Sequence, residues 1–313
     1  GGRKGRQGAE ERADRRAGGG NDDGVSHFIH SLEKFFARGC AAFADARHLL
    51  RCSNQQNVIA APQHPPGTMP HAVLSEGEGD VILLKAIARR ICTPDDLDMI
   101  EHYQTRAERL ADLWVHVVGL ALAAAGGVVL AVLASVYAGV GAAVSTAIYA
   151  LCLVAMLTAS TVYNLTHPCA ARPVLRRLDE AAIFLMIAGS YTPFTAVRFE
   201  GAWSVGFTLA VWTMAIVGAG VKMLAPRLSD AFWSVIYVLF GWVAVFALKP
   251  MIETVHPLAL GLLVAGGLIY TAGVFVFISQ KVKFRRAIWH GFVVTGAGVH
   301  WAAVLIGVVL VQA

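Results

Sequence analysis

The chain has 313 residues, of which 56% are apolar and only 15% charged, and it carries a net charge of +5. A soluble domain carries about a quarter charged residues, so this composition excludes a single water-facing globule. The positive balance does not mark a nucleic-acid partner either, because the charges sit in the N-terminal third and between apolar blocks.

Residues 1–24 are mostly Gly, Arg, Ala and acids, too polar to offset the entropy of ordering. Residues 25–50 read as a mildly amphipathic helix and residues 51–80 as a Pro-containing linker. Residues 1–80 together are expected to be a disordered or spurious extension, with Met69 as an alternative start. Residues 81–111 read as an amphipathic cytoplasmic or interfacial region. Thr93, Pro94, Asp95 and Asp96 form a helix-start signal, predicting a surface helix through Arg109. Residues 112–313 form the membrane domain.

From Asp112 onward, apolar blocks run Leu113–Tyr137, Gly141–Leu165, Ala181–Val197, Ala202–Val221, Ala231–Leu248, Pro257–Ile278 and Ala287–Val311. Each approaches the ~20 residues that cross the hydrocarbon layer as a helix. Lipid offers backbone groups no partners, so helices are required. The expected fold is therefore all-α, a seven-helix transmembrane bundle. Its small residues, such as Gly126 and Gly127, let helices approach closely.

Loop charges predict orientation. The second, fourth and sixth loops carry nine Lys or Arg (Arg172, Arg176, Arg177, Lys222, Arg227, Lys281, Lys283, Arg285, Arg286), against two, Arg198 and Lys249, on the other side. Lys/Arg excess marks the cytoplasm, so the N-terminus is expected inside and the C-terminus outside, in a bacterial inner (plasma) membrane. The five cysteines form no CxxC pair and read as reduced thiols.

Ionisable groups at membrane depth are functional candidates. Ser160 and Asn164 lie one turn apart near the end of the second block, Asp179 just before the third, and His290 near the start of the seventh. They fall in one layer near the cytoplasmic interface. His116 and His300 read as hydrogen-bonded packing residues. Gly189 to Pro193 reads as a kink or helix end.

Residues Ser160 to Pro168, Leu175 to Asp179, Ile187 to Phe194, and Ala287 to His300 resemble the hemolysin III branch of the progestin and adipoQ receptor family. The resemblance runs from about Glu108 to the C-terminus. It implies a seven-helix bundle with the N-terminus inside and an intramembrane zinc amidohydrolase, some relatives being hormone receptors with ceramidase-type activity. The implied zinc motif is Ser-x3-His on the second helix, Asp on the third and His-x3-His on the seventh. Ser160 and Asp179 match as catalytic positions, and His290 matches as a metal ligand. Asn164 and Arg286 stand where histidines belong, and Glu180 stands where bacterial relatives commonly have His.

One of three expected zinc ligands thus survives, whereas zinc ordinarily takes three protein ligands even at an open site. No cofactor is expected, except zinc should His290, Asp179 and either His167 or Glu180 make a different site. Arg286 is expected to pair with Asp179 or Glu180, leaving a salt-bridged remnant. The preferred reading is a hemolysin III-like membrane protein with a lost or altered zinc site and a structural or lipid-responsive role, with membrane lipids as partners and no nucleic acid. Alternatives are a zinc-dependent hydrolase of lipid amides and a pore, the latter disfavoured by the absence of a repeated charged face. A fourth reading places a haem among His116, His290 and His300.

Overall fold

The computed structural model describes residues 102–224, 228–279 and 281–311, with the isolated positions 31, 34 and 38. The readings made for residues 1–80, and most of those for 81–111, lie outside the described residues. Every regular element among the described residues is helical: α1 (Arg106–Tyr137), α2 (Gly139–Leu165), α3 (Arg172–Val197), α4 (Gly201–Leu224), α5 (Asp230–Gly241), a 3-10 segment Val243–Ala247, α6 (Leu248–Thr254), α7 (Pro257–Ile278) and α8 (Arg285–Val304), which ends in a π-helical turn, Leu305–Leu310. Among the described residues, seven stretches are long and apolar enough to span a membrane, with α5 to α6 forming the fifth and α8 with its π turn the seventh. Residues 93–165 and 172–313 make one compact unit. Thr166–Ala171 group separately. There, His167 is exposed and Cys169 is disulfide-bonded. Cys152, in α2, is a free thiol, so the expectation of reduced cysteines holds inside the apolar block and fails at Cys169.

The first span begins earlier than the apolar block suggests. Residues 102–105 are not helical, so no surface helix runs through to Arg109. Instead Thr105 caps α1, its hydroxyl accepting from the Glu108 N–H at 3.2 Å, while the Glu108 carboxylate accepts from the Gln104 N–H at 2.9 Å. This is a variant of the capping box. It places a polar turn, Arg106 to Asp112, inside the helix proper.

α1 packs on α2, α2 on α3, α3 on α4 and α7 on α8, and α8 returns to α1. Small residues set the closest approaches. A Cβ on Gly127 would lie 2.8 Å from that of Ala150, and one on Gly189 would lie 2.8 Å from that of Cys152. Glycine at these two points lets α1, α2 and α3 nest. Residues around Tyr149, Leu153 and Leu130 fill the core between α1, α2, α3 and α8. Elsewhere large apolar side chains face outward, as at Leu224 (87% exposed) and Phe246 (80%). Such faces suit contact with lipid tails.

Two spans are irregular, and side chains satisfy their freed backbone groups. Pro250 cannot donate an N–H, and its ring crowds the carbonyl four residues back. Ahead of it the fifth span breaks at Trp242 and continues as 3-10 helix. Tyr191 bridges the break: its hydroxyl donates to the Gly241 carbonyl at 2.6 Å and accepts from the Ala244 N–H at 3.0 Å. Arg198 performs the same service at the π turn, donating to the carbonyls of Gly307 at 2.6 Å and of Val311. The segment around Gly189 to Pro193 is not a helix end; α3 continues through Pro193 to Val197.

Candidate functional site

Three helices each bring two polar residues one turn apart to the same place: Asp112 and His116 from α1, Ser160 and Asn164 from α2, and Arg286 and His290 from α8. The i, i+4 spacing puts each pair on one helix face. Asp179 joins them from α3, beside Ser160 and within electrostatic range of His290 and Arg286. Asp112, His116, Ser160, Asn164 and His290 are buried.

Asp112 is the anchor. One carboxylate oxygen accepts from His290 Nδ1 at 2.6 Å, and the other accepts from the Tyr103 hydroxyl at 2.5 Å. Short hydrogen bonds to an ionised carboxylate are the strong kind, and together they offset removal of the charge from water. His116 Nδ1 donates to the Asp112 main-chain carbonyl at 2.8 Å. In both imidazoles Nδ1 therefore carries a hydrogen. Both Nε2 atoms face the Ser160 hydroxyl, at 3.4 Å from His116 and 3.5 Å from His290. The two rings meet edge to face with centroids 4.3 Å apart. That separation leaves no room for a haem between them, and His300 is occupied elsewhere, donating to the Leu263 carbonyl at 3.2 Å.

The two positions that depart from the zinc motif find each other. Arg286 Nη1 donates to Asn164 Oδ1 at 2.8 Å. The Asn164 amide in turn donates to the Ser160 carbonyl at 3.0 Å and to the Ser160 hydroxyl oxygen at 3.3 Å. The three-histidine zinc set that the resemblance implies does not fit these residues, because an amide and a guanidinium bonded to one another hold two of its positions. Arg286 was expected to pair with Asp179 or Glu180; it bonds Asn164 instead, with Asp179 within electrostatic range and Glu180 not among its partners. Glu180 takes part in a separate network, accepting from Arg176 Nε at 2.8 Å and pairing with Lys222. Lys222 is buried rather than exposed in a loop, with its ammonium 4.6 Å from the Trp233 ring centroid. Arg176 further bonds Asp230, so this network ties α3 to α4 and α5. Glu180 faces that network and not the polar centre.

Just ahead of α1, His102 and Tyr103 border the centre. The Tyr163 hydroxyl and His102 Nε2 are hydrogen-bonded at 3.2 Å. Burial pushes the His102 imidazole far below its ordinary pKa, and the charges of Arg286, Arg172, Arg176 and Arg285 push the same way. His102 is therefore neutral and accepts the phenol's hydrogen. Burial, the Asp112 charge and the Asp112 hydrogen bond push the Tyr103 phenol well above its ordinary value. Tyr103 thus stays protonated and donates.

Among the described residues, the close cluster of potential metal donors is Asp112, His116 and His290, each offering one atom within 4.8 Å of the others. The sequence alone does not mark Asp112 as a site residue, and it gives His116 a packing role or, in one reading, a haem. The signal that identifies them is the recurrence of one spacing, a polar residue and its i+4 partner, on α1 as on α2 and α8.

A family model described as haemolysin-III related matches residues 104–301. The chain is 32% identical to a protein named Hemolysin-3 of Bacillus cereus over 200 residues, covering 63% of this chain and 90% of the relative. It is 30% identical to the Hemolysin-3 homolog of Bacillus subtilis (strain 168), covering 64% of this chain and 94% of that one. It is 30% identical to the human monocyte to macrophage differentiation factor, covering 50% of this chain and 67% of that protein. With seven membrane-length helices and this match across the helical unit, the chain belongs to the haemolysin-III related family and is an integral membrane protein.

Proposed function

We propose that this chain is a plasma-membrane protein with its N-terminus in the cytoplasm, in which the inherited zinc motif has been rebuilt into a hydrogen-bonded polar centre that takes the polar group of a membrane lipid. The nine-to-two distribution of Lys and Arg supports the orientation. The observation that carries the rebuilt centre is the Arg286–Asn164 hydrogen bond at 2.8 Å. Depth supports a lipid ligand. Asp112, Ser160, Asp179 and His290 lie five to seven residues from the ends of their helices, all on one side of the bundle. At 1.5 Å per residue this is ~8–10 Å inside, near the level where a lipid's polar linkage meets its chains.

The test is lipid retention. Protein purified in mild detergent is expected to carry a polar lipid, identified by mass spectrometry, that is depleted in Arg286→Leu. An identical lipid profile in the two proteins would overturn the reading.

One observation favours a second reading, hydrolysis of a lipid amide. Ser160 sits between two imidazoles, and His290 is held from behind by Asp112, an arrangement of hydroxyl, base and orienting acid. Proteoliposomes containing a lipid amide should then release free fatty acid, and Ser160→Ala or Asp179→Asn should abolish that release. Release that persists in both variants would remove these residues from the chemistry.

A further inference from the structure

We propose that residues 102–105 form a strap that shuts the polar centre at the basic end of the bundle, with Tyr103 latched on Asp112 and His102 on Tyr163, and that the centre opens to water when this strap lifts. This rests on the reading of the centre as a ligand site, to which it adds the route between that site and water. It is tested by access to the centre and not by any bound lipid.

Asp112 lies well inside α1, which starts at Arg106; at 1.5 Å per residue it is ~9 Å below the helix start. Tyr103 precedes that start, yet its hydroxyl donates to Asp112 at 2.5 Å. The phenol therefore doubles back along α1 into the bundle. Beside it, the His102 ring meets the Tyr163 ring edge to face with centroids 5.1 Å apart, and the two share a hydrogen bond of 3.2 Å. The Arg172 guanidinium, from α3, lies 5.8 Å from the centroid of the same Tyr163 ring. His102 and Tyr103 are half-buried, whereas Gln104, Thr105 and Arg106 are exposed. The strap thus has one face turned into the bundle and one face in water.

Its attachment allows it to lift. Thr105 is extended (φ −134°, ψ 154°) and caps α1, and the Glu108 carboxylate accepts from the Gln104 N–H. These bonds fix the chain as far back as Gln104. Rotation ahead of Gln104 breaks the two side-chain latches and no rung of α1. Closure also carries a cost. His102 Nε2 accepts from the Tyr163 hydroxyl, so Nδ1 carries the hydrogen. That donor is buried without a hydrogen-bond partner among the described residues. A buried donor left unpaired is costly, and lifting the strap returns it to water. The latches hold the strap shut against this cost, so loss of one of them favours the open state.

The test is access of a water-soluble reagent to a thiol placed in the centre. Ser160→Cys protein in mild detergent would be exposed to a charged thiol reagent, with modification at each cysteine followed over time by mass spectrometry of peptides. Slow modification of the new thiol is expected. Adding Tyr103→Phe should speed it about tenfold or more, because the latch it removes is a hydrogen bond to a charged group. Gln104→Ala, on the wet face of the strap, should leave the rate unchanged. The free thiol of Cys152, packed against α3 at Gly189, reports on the bundle itself and should keep its rate in every variant. Where Ser160→Cys does not fold, Asn164→Cys, one turn nearer the strap, carries the same comparison. Equal rates with and without Tyr103→Phe, or a rise shared by Cys152, overturn the proposal. Lipid retention in Arg286→Leu reports separately on the function proposed above.

Discussion

Asp112 illustrates how one buried charge organises a site. Its two short hydrogen bonds come from α8 and from the segment ahead of α1, so it ties three pieces of chain together. Tyr103→Phe removes one bond to a buried carboxylate, an interaction of about 1.5–3 kcal/mol, and should lower the melting temperature in detergent measurably. An unchanged melt would show that Asp112 does not depend on Tyr103. His102 adds a pH dependence. Its folded pKa is depressed by burial and by the neighbouring arginines, so the unfolded chain takes up a proton first as pH falls through about 6.5. Stability that is present above that value is lost below it. Melting between pH 7 and pH 5 should therefore show a downward slope that flattens in His102→Gln. The pair Asn164 and Arg286 was legible only as two departures from a motif. That they compensate each other, 122 residues apart in sequence, depends on the contact between α2 and α8, which no local pattern encodes.

At the scale of elements, the seven spans were readable from apolar runs alone, because the bilayer imposes a length that sequence must meet. Their ends were not. α1 and α3 extend into polar turns that belong to the site, since Asp112 and Asp179 sit at helix positions that hydropathy assigns to flanks. His116 looked like a lone polar residue on an apolar helix; its partners come from α2 and α8. Close approach of helices is the other element-scale feature. Gly189→Val would drive a side chain into Cys152 and the α2 backbone at Tyr149. Overpacking of this kind destabilises by about 1–3 kcal/mol, so the variant should melt earlier than Gly141→Val. Gly141, where an added Cβ meets nothing within 4 Å, is the matched control. Equal melting of the two would mean that α2 and α3 can separate freely.

For the molecule as a whole, the polar centre and the Arg176–Glu180–Lys222 network lie at the same end of the bundle, the end that carries the basic loops. Charge that orients the chain and charge that builds the interior are thus concentrated together. With the orientation proposed above, a phosphatase that is active only outside the cytoplasm should be active when joined after Ala313. A fluorescent protein that matures only inside should stay dark there. The reverse pattern would invert the protein and move the centre to the opposite leaflet.

The phenol of Tyr191, on α3, completes the backbone of a different span. The Gly241 carbonyl and the Ala244 N–H are thereby satisfied by a side chain from outside their own span. Damage at one address is then felt at another. Tyr191→Phe should leave α3 intact and accelerate amide exchange at Ala244, on a helix whose sequence has not changed.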